Sequence, residues 1–387
     1  MAKELAFALI NPHTISKSRT GGVIGRITSR TGLDMVAARM FAPSAELAKK
    51  FADLVRTVDD VDTEERKVLA DYVEANYTPD PKTGRPRRAL MLLFEGDDAI
   101  NKVKAAVGPL RPEDGSGETV RDTYGDYIVD DKGSVRYVEP AVMIGRTKDT
   151  VAKVLKLWAA YSETCGGIVA AAADVESGQQ VQKTLVIIKP DNFRFPSQRP
   201  GNIIDIFSAS GLRIVGVKVH CMSVADAEEF YGPVRNILRS KLKGHVAERA
   251  AKAAATEFGF DVPDDAKAQL GEVLGPIYGD QQFFQIVQFM TGYWPPSLSD
   301  EDKKQPGKER CLILIYAGLK AVDKIRKILG PTDPSKAEPG SVRKEFGQNI
   351  MVNAAHASDS PESVEREMKI VKVEQDMVRP LVEKYYG

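Results

Sequence analysis

The sequence contains one pattern twice, and this internal duplication limits the possible folds more than any other feature. Each copy opens with an apolar run that ends in proline, LAFALINP at 5–12 and LVIIKP at 185–190. A polar turn, a helix-like stretch, a Ser/Thr-Gly-Leu segment and a β-rich run follow in both copies. Matching residues of these segments lie 178 or 179 positions apart. Repetition at a fixed spacing indicates a chain built from two related units.

A second spacing holds late in each copy. Gly318 follows Gly96 by 222 positions, and Arg343 follows Arg121 by the same 222. Because the spacing grows from 179 to 222, the second copy contains 43 more residues between its second and third strands. Two spacings that each hold over separate motifs are difficult to produce by chance. We therefore interpret the chain as a tandem duplication with an insertion in the second copy.

Short β-type runs and helical patterns alternate within each copy. The second copy predicts strands at 184–188, 213–220, 310–316 and 349–355, helices at 202–210 and 319–329, and a final helix beginning at Ser360. A strand–helix–strand unit that occurs twice is the ferredoxin-like arrangement, with helices on one face of an antiparallel sheet. The predicted fold class is therefore α/β, more closely an α+β sandwich. It comprises two tandem ferredoxin-like βαββαβ domains with antiparallel four-stranded sheets.

The predicted domain boundaries follow from the repeat. The first domain covers 1–162, a Gly- and Ala-rich linker covers 163–182, and the second domain covers 183–387 with a helical insertion at about 224–278. The insertion is rich in alanine and charge, and a group of its lysines and arginines lies in one helical stretch. A solvated basic face and a surface that binds a partner or steers nucleotides both remain open as explanations.

Charge and composition exclude several classes of function. The chain has 54 basic and 54 acidic residues, so its formal charge is zero and a general nucleic-acid or anionic-membrane binder is not expected. Its longest apolar runs fall far short of the ~20 residues that a membrane span requires. Three scattered cysteines are typical of a reducing compartment. The sequence therefore predicts a cytoplasmic protein that binds neither nucleic acid nor membranes.

One of the four histidines has the setting of a reactive group. His356 lies in NAAHASDS at 353–360, between a predicted strand and a predicted helix, and its small neighbours leave room for a ligand. A neutral imidazole is a nucleophile, and a carboxylate beside it orients the ring. Upstream, Arg326, Thr332 and Arg343 are suited to phosphate oxygens. A single loop histidine is more often structural, but its occurrence with these cationic groups favours a phosphoryl-binding site.

The motifs around these residues resemble nucleoside diphosphate kinases, from residue 184 to about 371. The family's Lys-Pro-Asp after the first strand appears as KPD at 189–191. Its phosphate-binding segment appears as Arg326, LGPTDP at 329–334 and PGSVR at 339–343, and its histidine signature as NAAHASDS, followed by Glu367. This ordered set matches the family without a gap from Arg326 to Glu367.

The resemblance implies a ping-pong transfer of a phosphoryl group. His356 is expected to take the γ-phosphoryl of a nucleoside triphosphate and to pass it to a diphosphate. The residues expected in catalysis are His356, Glu367, Ser358 and Lys189. Those expected to bind nucleotide are Lys189, Phe283, Arg326, Thr332, Arg343 and Asn353. Phe283 is expected to stack on the base, and Mg²⁺ to be carried by the nucleotide phosphates and not by a protein metal site. The family also implies a homo-oligomer.

Each of the predicted nucleotide-binding residues, and Glu367, also has a purely structural explanation, of which two examples follow. Phe283 belongs to an aromatic pair on a helical pattern, and such a pair is usually part of a core. Arg343 recurs as Arg121 in a copy that lacks the other site groups, so a structural role also explains it. The sequence departs from the family at Gly275, where an aromatic residue is expected, and in the long insertion.

The first copy has lost the residues that the resemblance requires. Asn11 stands where the second copy has Lys189, Lys104 where it has Arg326, and Leu110 where it has Thr332. No histidine occurs between His13 and His220. We predict a degenerate copy kept for packing or assembly. Two other hypotheses stay open for the whole chain: a catalytically weak or inactive nucleotide-binding assembly or regulatory protein, and a phosphorelay through His356 to a protein acceptor.

Overall fold

Two four-stranded sheets, one in each copy, form the framework of the protein. The computed structural model describes residues 3–111, 116–173 and 179–387. Within these residues the strands are β1 (Glu4–Ile10), β2 (Asp34–Phe41), β3 (Ala89–Gly96), β4 (Asp126–Val129), β5 (Val135–Glu139), β6 (Val142–Met143), β7 (Gln182–Ile188), β8 (Arg213–His220), β9 (Cys311–Gly318) and β10 (Ala355–Ala357).

The two sheets have the same strand order. The first runs β2-β3-β1-β6 and the second β8-β9-β7-β10, and β4 and β5 form a separate two-stranded ribbon. The pairs β1–β3, β1–β6, β2–β3, β7–β9 and β7–β10 are antiparallel. In both copies the first and third strands are central, as the ferredoxin-like arrangement requires. The predicted fold class is confirmed.

The helices connect these strands and include the whole insertion. Within the described residues they are α1 (Pro12–Ser16), α2 (Thr20–Thr31), α3 (Ala45–Thr57), α4 (Thr63–Tyr77), α5 (Ala99–Val107), α6 (Val120–Tyr124), α7 (Lys148–Ala160), α8 (Ser162–Cys165), α9 (Arg199–Ser208), α10 (Val224–Phe230), α11 (Gly232–Lys241), α12 (Lys243–Phe258), α13 (Asp264–Thr291), α14 (Ala321–Leu329), α15 (Val342–Phe346), α16 (Pro361–Ile370) and α17 (Val378–Tyr386). In these parts of the chain no helix is both long and apolar enough to cross a membrane.

Local sequence signals explain where several helices begin. The Ser360 hydroxyl accepts a hydrogen bond from the Ser363 amide, so α16 starts one residue after the predicted cap.

One predicted strand, 349–355, is wrong. The Asn349 side chain accepts hydrogen bonds from the Met351 and Val352 amides, and Ala354 has φ 68°. This backbone cannot continue a strand, so β10 is confined to three residues beginning at Ala355.

Contacts between residues divide the chain into two compact units. The first contains 1–220 and 312–387, and the second contains 221–311. The first therefore includes both sheets, whereas the division into 1–162 and 183–387 stays a prediction. Residues 174–178 of the predicted linker lie outside the described residues.

Within the first unit, the two copies contact each other through equivalent helices. A Cβ atom built at Gly201 of α9 would lie 2.2 Å from the Gly21 carbonyl oxygen of α2. The two helices thus approach to backbone contact, which only glycine allows. The Arg88 guanidinium also donates a 2.6 Å hydrogen bond to the Ile214 carbonyl of the second copy. These contacts make the two copies an internal pseudo-dimer.

The second unit consists mainly of the inserted helices. In α13, Gly271, Gly275 and Gly279 recur every four residues. A Cβ atom at Gly279 would lie 2.6 Å from Arg239 Cα, and one at Gly275 would lie 2.5 Å from Lys243 Cγ. These glycines therefore let α11 and α12 pack closely on α13. The helical segment continues to Thr291, beyond the predicted end of the insertion near 278.

Candidate active site

His356 lies in the short strand β10 and contacts a buried carboxylate. Its Nε2 atom is 2.9 Å from Glu367 Oε2, and the Ser358 hydroxyl donates a 2.7 Å hydrogen bond to the same oxygen. Glu367 comes from α16 and is 3% exposed, whereas the His356 side chain is 23% exposed. The structure thus brings together three of the predicted residues. A buried carboxylate fixes the ring orientation, and the imidazole stays accessible to a ligand.

Arg326 lies on the exposed face of α14, near the loop that follows His356. The Ser363 hydroxyl, which donates a hydrogen bond to the Asp359 carboxylate, lowers the pKa of Asp359. The positive charge of Arg326 lowers this pKa further. The charge of Arg326 therefore acts on the loop that follows the imidazole.

A hydrogen-bonded group forms around Lys189, at the end of β7. The Lys189 ammonium donates to Asn353 Oδ1 at 2.7 Å and to the Met351 carbonyl at 3.1 Å. Asn353 in turn donates to the carbonyl of Thr332 at 3.1 Å. Burial, together with the charge of Arg343, lowers the pKa of Lys189 to about 8. The structure thus joins three more of the predicted residues into one network.

Arg343 makes the same contacts as its counterpart in the first copy. Its guanidinium donates to the Gly330 carbonyl at 3.0 Å and to the Ala355 carbonyl at 3.2 Å. Arg121 donates to the carbonyls of Gly108 and Val142, both at 3.2 Å. Each arginine therefore ties a helix end to the last strand of its sheet. This supports a structural contribution from Arg343, although Arg343 is half-buried whereas Arg121 is 4% exposed.

Phe283 belongs to the second compact unit. Its side chain is 1% exposed, the Arg235 guanidinium lies 5.2 Å from its ring centroid, and the Phe284 ring lies 6.0 Å away. Its ring is therefore packed within the inserted helices, as expected for a core aromatic. The stacking of Phe283 on a base stays a prediction.

Two features of the site were missed by sequence reasoning. The sequence marks Asp191 only as part of the Lys-Pro-Asp motif, yet burial raises its pKa and neither carboxylate oxygen has a hydrogen-bond partner among the described residues. Ala354 adopts φ 68°, and its carbonyl accepts from the Lys189 amide and the Asn192 side chain. The signal for Asp191 was its place beside Lys189, whereas nothing in the residue type marks Ala354.

The first copy has the same backbone arrangement with other side chains. Met143 pairs with Leu9 as His356 pairs with Ile187, so methionine occupies the position of the histidine. The Asn11 amide donates to the carbonyl of Ala141, as the Lys189 amide does to that of Ala354. Asn11 is fully buried and accepts a hydrogen bond from the Tyr77 hydroxyl. The first copy therefore retains the framework and lacks a histidine nucleophile at this position.

Comparison with known proteins points to one family. The family model described as nucleoside diphosphate kinase matches residues 182–238 and 302–377. A nucleoside diphosphate kinase of Bdellovibrio bacteriovorus is 32% identical over 190 residues, which cover 49% of this chain and 92% of that protein. A nucleoside diphosphate kinase of Pyrobaculum aerophilum is 27% identical over 212 residues, which cover 51% of this chain and 98% of that protein. A solved structure of an NDP kinase from Pyrobaculum aerophilum is 26% identical, covers 51% of this chain and 100% of that chain, and gives a TM-score of 0.31.

Proposed function

The chain belongs to the nucleoside diphosphate kinase family, and we propose that its second copy carries the active site, with His356 as the phosphoryl acceptor. The observation that carries this proposal is the contact between His356 Nε2 and the buried Glu367 carboxylate at 2.9 Å. The transfer passes the γ-phosphoryl group of a nucleoside triphosphate to a nucleoside diphosphate in two steps.

In the first step, His356 attacks the γ-phosphorus. Because Nε2 faces Glu367, the nucleophile is the lone pair of Nδ1, which forms the new N–P bond while the bond to the β-phosphate oxygen breaks. The nucleoside diphosphate leaves with that electron pair, and the imidazole gains positive charge. The Glu367 carboxylate stabilises this charge through Nε2–H, and Ser358 fixes the carboxylate. The second step is the reverse reaction with a different diphosphate.

Cationic side chains line the path of the phosphates in this proposal. Arg326 lies exposed near the loop after His356, and Arg343 and Lys189 lie near each other, since the charge of Arg343 lowers the pKa of Lys189. Thr332 and Asn353 complete the group. Among the described residues no group of three or more His, Cys, Asp or Glu side chains is placed to hold a metal ion. Mg²⁺ that arrives on the nucleotide phosphates would supply charge neutralisation there.

We infer that the first copy serves packing and not transfer, since Met143 stands where His356 stands in the second copy. The contact of Gly21 with Gly201 supports this role, because equivalent helices of the two copies pack on each other. A homo-oligomer of the whole chain and a cytoplasmic location stay predictions.

A catalytically weak nucleotide-binding protein is the second candidate. One observation favours it. The ammonium of Lys189 and the guanidinium of Arg343 already donate hydrogen bonds to oxygen atoms of the protein. A nucleotide would have to compete with these contacts.

Initial-rate kinetics separate the two candidates. We expect parallel double-reciprocal lines when the triphosphate and the diphosphate are varied, and no transfer by His356→Ala. The matched control is His245→Ala, since His245 is exposed on an inserted helix. Nucleotide binding without transfer in the wild-type chain would favour the second candidate, and transfer by His356→Ala would contradict the first.

A further inference from the structure

The helix α16, which contributes Glu367 to the proposed active site, ends in a turn with an unusual residue. The Lys372 amide donates to the Lys369 carbonyl at 3.2 Å, and the Val373 amide donates to the Met368 carbonyl at 3.4 Å. These two bonds define a Schellman motif, in which glycine usually occupies the left-handed position. Here that residue is Lys372, with φ 49°. A residue with a side chain persists in this conformation only where its surroundings hold it.

The Lys218 ammonium, from β8, holds this turn. It donates to the carbonyls of Val371 and Lys372, both at 2.9 Å, and to Gln375 Oε1 at 3.1 Å. An ammonium has three donors, so these three acceptors fit it. The carbonyls at a helix end lack partners within the helix, and a positive charge is favourable there. Lys218 is 2% exposed, so its charge lies at the end of α16 and not in solvent.

The turn held by Lys218 is connected directly to Glu367. The Val371 amide donates to the Glu367 carbonyl at 3.1 Å, which closes the helical turn that starts at the glutamate. The carbonyl of the same Val371 accepts from Lys218, so one residue joins the lysine to the glutamate. The Glu367 carboxylate in turn contacts His356 Nε2 at 2.9 Å. Since small displacements of reacting groups reduce rates strongly, the position of this helix end affects the proposed reaction.

Arg39 occupies the equivalent position in the first copy, 179 residues before Lys218. It is 5% exposed, and its Nε and Nη2 atoms donate to the Ser162 carbonyl at 3.1 and 3.0 Å, just beyond the end of α7. The third nitrogen, Nη1, donates to the Glu374 carbonyl at 3.2 Å, and Nε lies 3.9 Å from the Asp376 carboxylate. One arginine of the first copy therefore holds both its own helix end and the segment that follows α16.

We propose that Lys218 is a positioning residue, which keeps the Glu367 carboxylate against His356, and that Arg39 supports it from the first copy. This inference rests on the proposed function, because it concerns transfer at His356. Both cations bond to backbone carbonyls around the end of α16, so they act on the carboxylate through this helix and not on the nucleotide. The first copy, which lacks a histidine nucleophile at the equivalent position, thereby contributes to the site of the second.

The test measures the single-turnover rate constant for phosphorylation of the full chain by γ-labelled ATP with Mg²⁺, together with the label bound per chain. We expect Lys218→Met and Arg39→Met to lower this rate constant by at least about threefold, while the label per chain stays as in the wild type. Lys218→Arg should retain more of the rate than Lys218→Met, because Arg39 shows that a guanidinium at this position reaches helix-end carbonyls. The matched controls are Lys183→Met and Arg30→Met, exposed residues of the same types, which should match the wild type.

A second background distinguishes positioning from general stabilisation. Glu367→Ala removes the carboxylate, so in that background we expect Lys218→Met to lower the rate constant by less than about 1.5-fold. Glu367→Gln serves as the background if Glu367→Ala takes up no label, and Arg39→Met and Lys218→Arg decide by the same comparison if Lys218→Met does not fold. The proposal is overturned if Lys218→Met lowers the rate constant by the same factor in both backgrounds, lowers only the label per chain, or behaves like Lys183→Met. A wild-type chain that takes up no label would instead overturn the proposed function, and this inference with it.

Discussion

The charge of Glu367 is the feature of the proposed site that one substitution tests most cleanly. The carboxylate is 3% exposed, and one of its oxygens contacts both His356 Nε2 at 2.9 Å and the Ser358 hydroxyl at 2.7 Å. Glu367→Gln keeps the size and one oxygen acceptor but removes the negative charge. The variant therefore asks whether the carboxylate stabilises the charged imidazole or only fills space.

The expected loss follows from the strength of charged hydrogen bonds. Such bonds contribute about 1.5–3 kcal/mol, against about 1 kcal/mol for neutral ones. Loss of the charge should therefore raise the barrier by about 0.5–2 kcal/mol, which is a fall in kcat of roughly 2- to 30-fold. Ser358→Ala leaves the carboxylate charged and removes only one hydrogen bond that fixes it, so its kcat should fall by less than that of Glu367→Gln.

The assay is phosphoryl transfer from a triphosphate to a diphosphate at saturating substrate. Glu362→Gln is the matched control, because Glu362 is an exposed acid in the first turn of the same helix. The reasoning is refuted if Glu367→Gln retains kcat within about twofold of the wild type while His356→Ala is inactive. It is also refuted if Glu362→Gln loses as much activity as Glu367→Gln.

Three further predictions concern stability and pH. Arg121→Met removes three hydrogen bonds to buried carbonyls, so the free energy of unfolding should fall by about 2–4 kcal/mol in denaturant titration; an unchanged midpoint would contradict the structural role. The lowered pKa of Lys189 means that the neutral amine predominates above about pH 8, so kcat/KM should decline with a midpoint near that pH, and Lys189→Met should lack this step; a step of equal size in the variant would assign it to another group. Gly201→Ala places a Cβ atom 2.2 Å from the Gly21 carbonyl and should cost about 1–3 kcal/mol of stability; the control Gly232→Ala, with no atom within 4 Å, should be neutral, and equal losses would refute the close contact.

Much of the fold could be predicted from the sequence because the duplication supplies each element twice. The bounds of β8 at 213–220 and the cap of α16 at Ser360 follow from local residue patterns. The strand predicted at 349–355 was wrong, because the side chain of Asn349 and the positive φ of Ala354 break the extended backbone. The pattern of apolar and polar residues gives no sign of such a turn.

The candidate site, like the fold, could be predicted from the sequence only in part. The residues near His356 could be selected by chemistry and motif, because imidazole, carboxylate and guanidinium groups are conspicuous in a sequence. Their contacts could not be predicted, since Arg343 and Lys189 bond to carbonyls and amides contributed by other parts of the chain. The contact of Arg39 with the Glu374 carbonyl depends on the packing of the two copies, which no single segment encodes.

The central claim is that the chain carries a single phosphoryl group, on His356. The most direct measurement incubates the full chain with Mg²⁺ and γ-labelled ATP, counts acid-labile label per chain, and locates it by peptide mass spectrometry. We predict one phosphoryl group per chain, on the peptide that contains His356, and its complete transfer to added GDP. Label at a second position, label that persists in His356→Ala, or label that does not pass to any diphosphate would contradict this account.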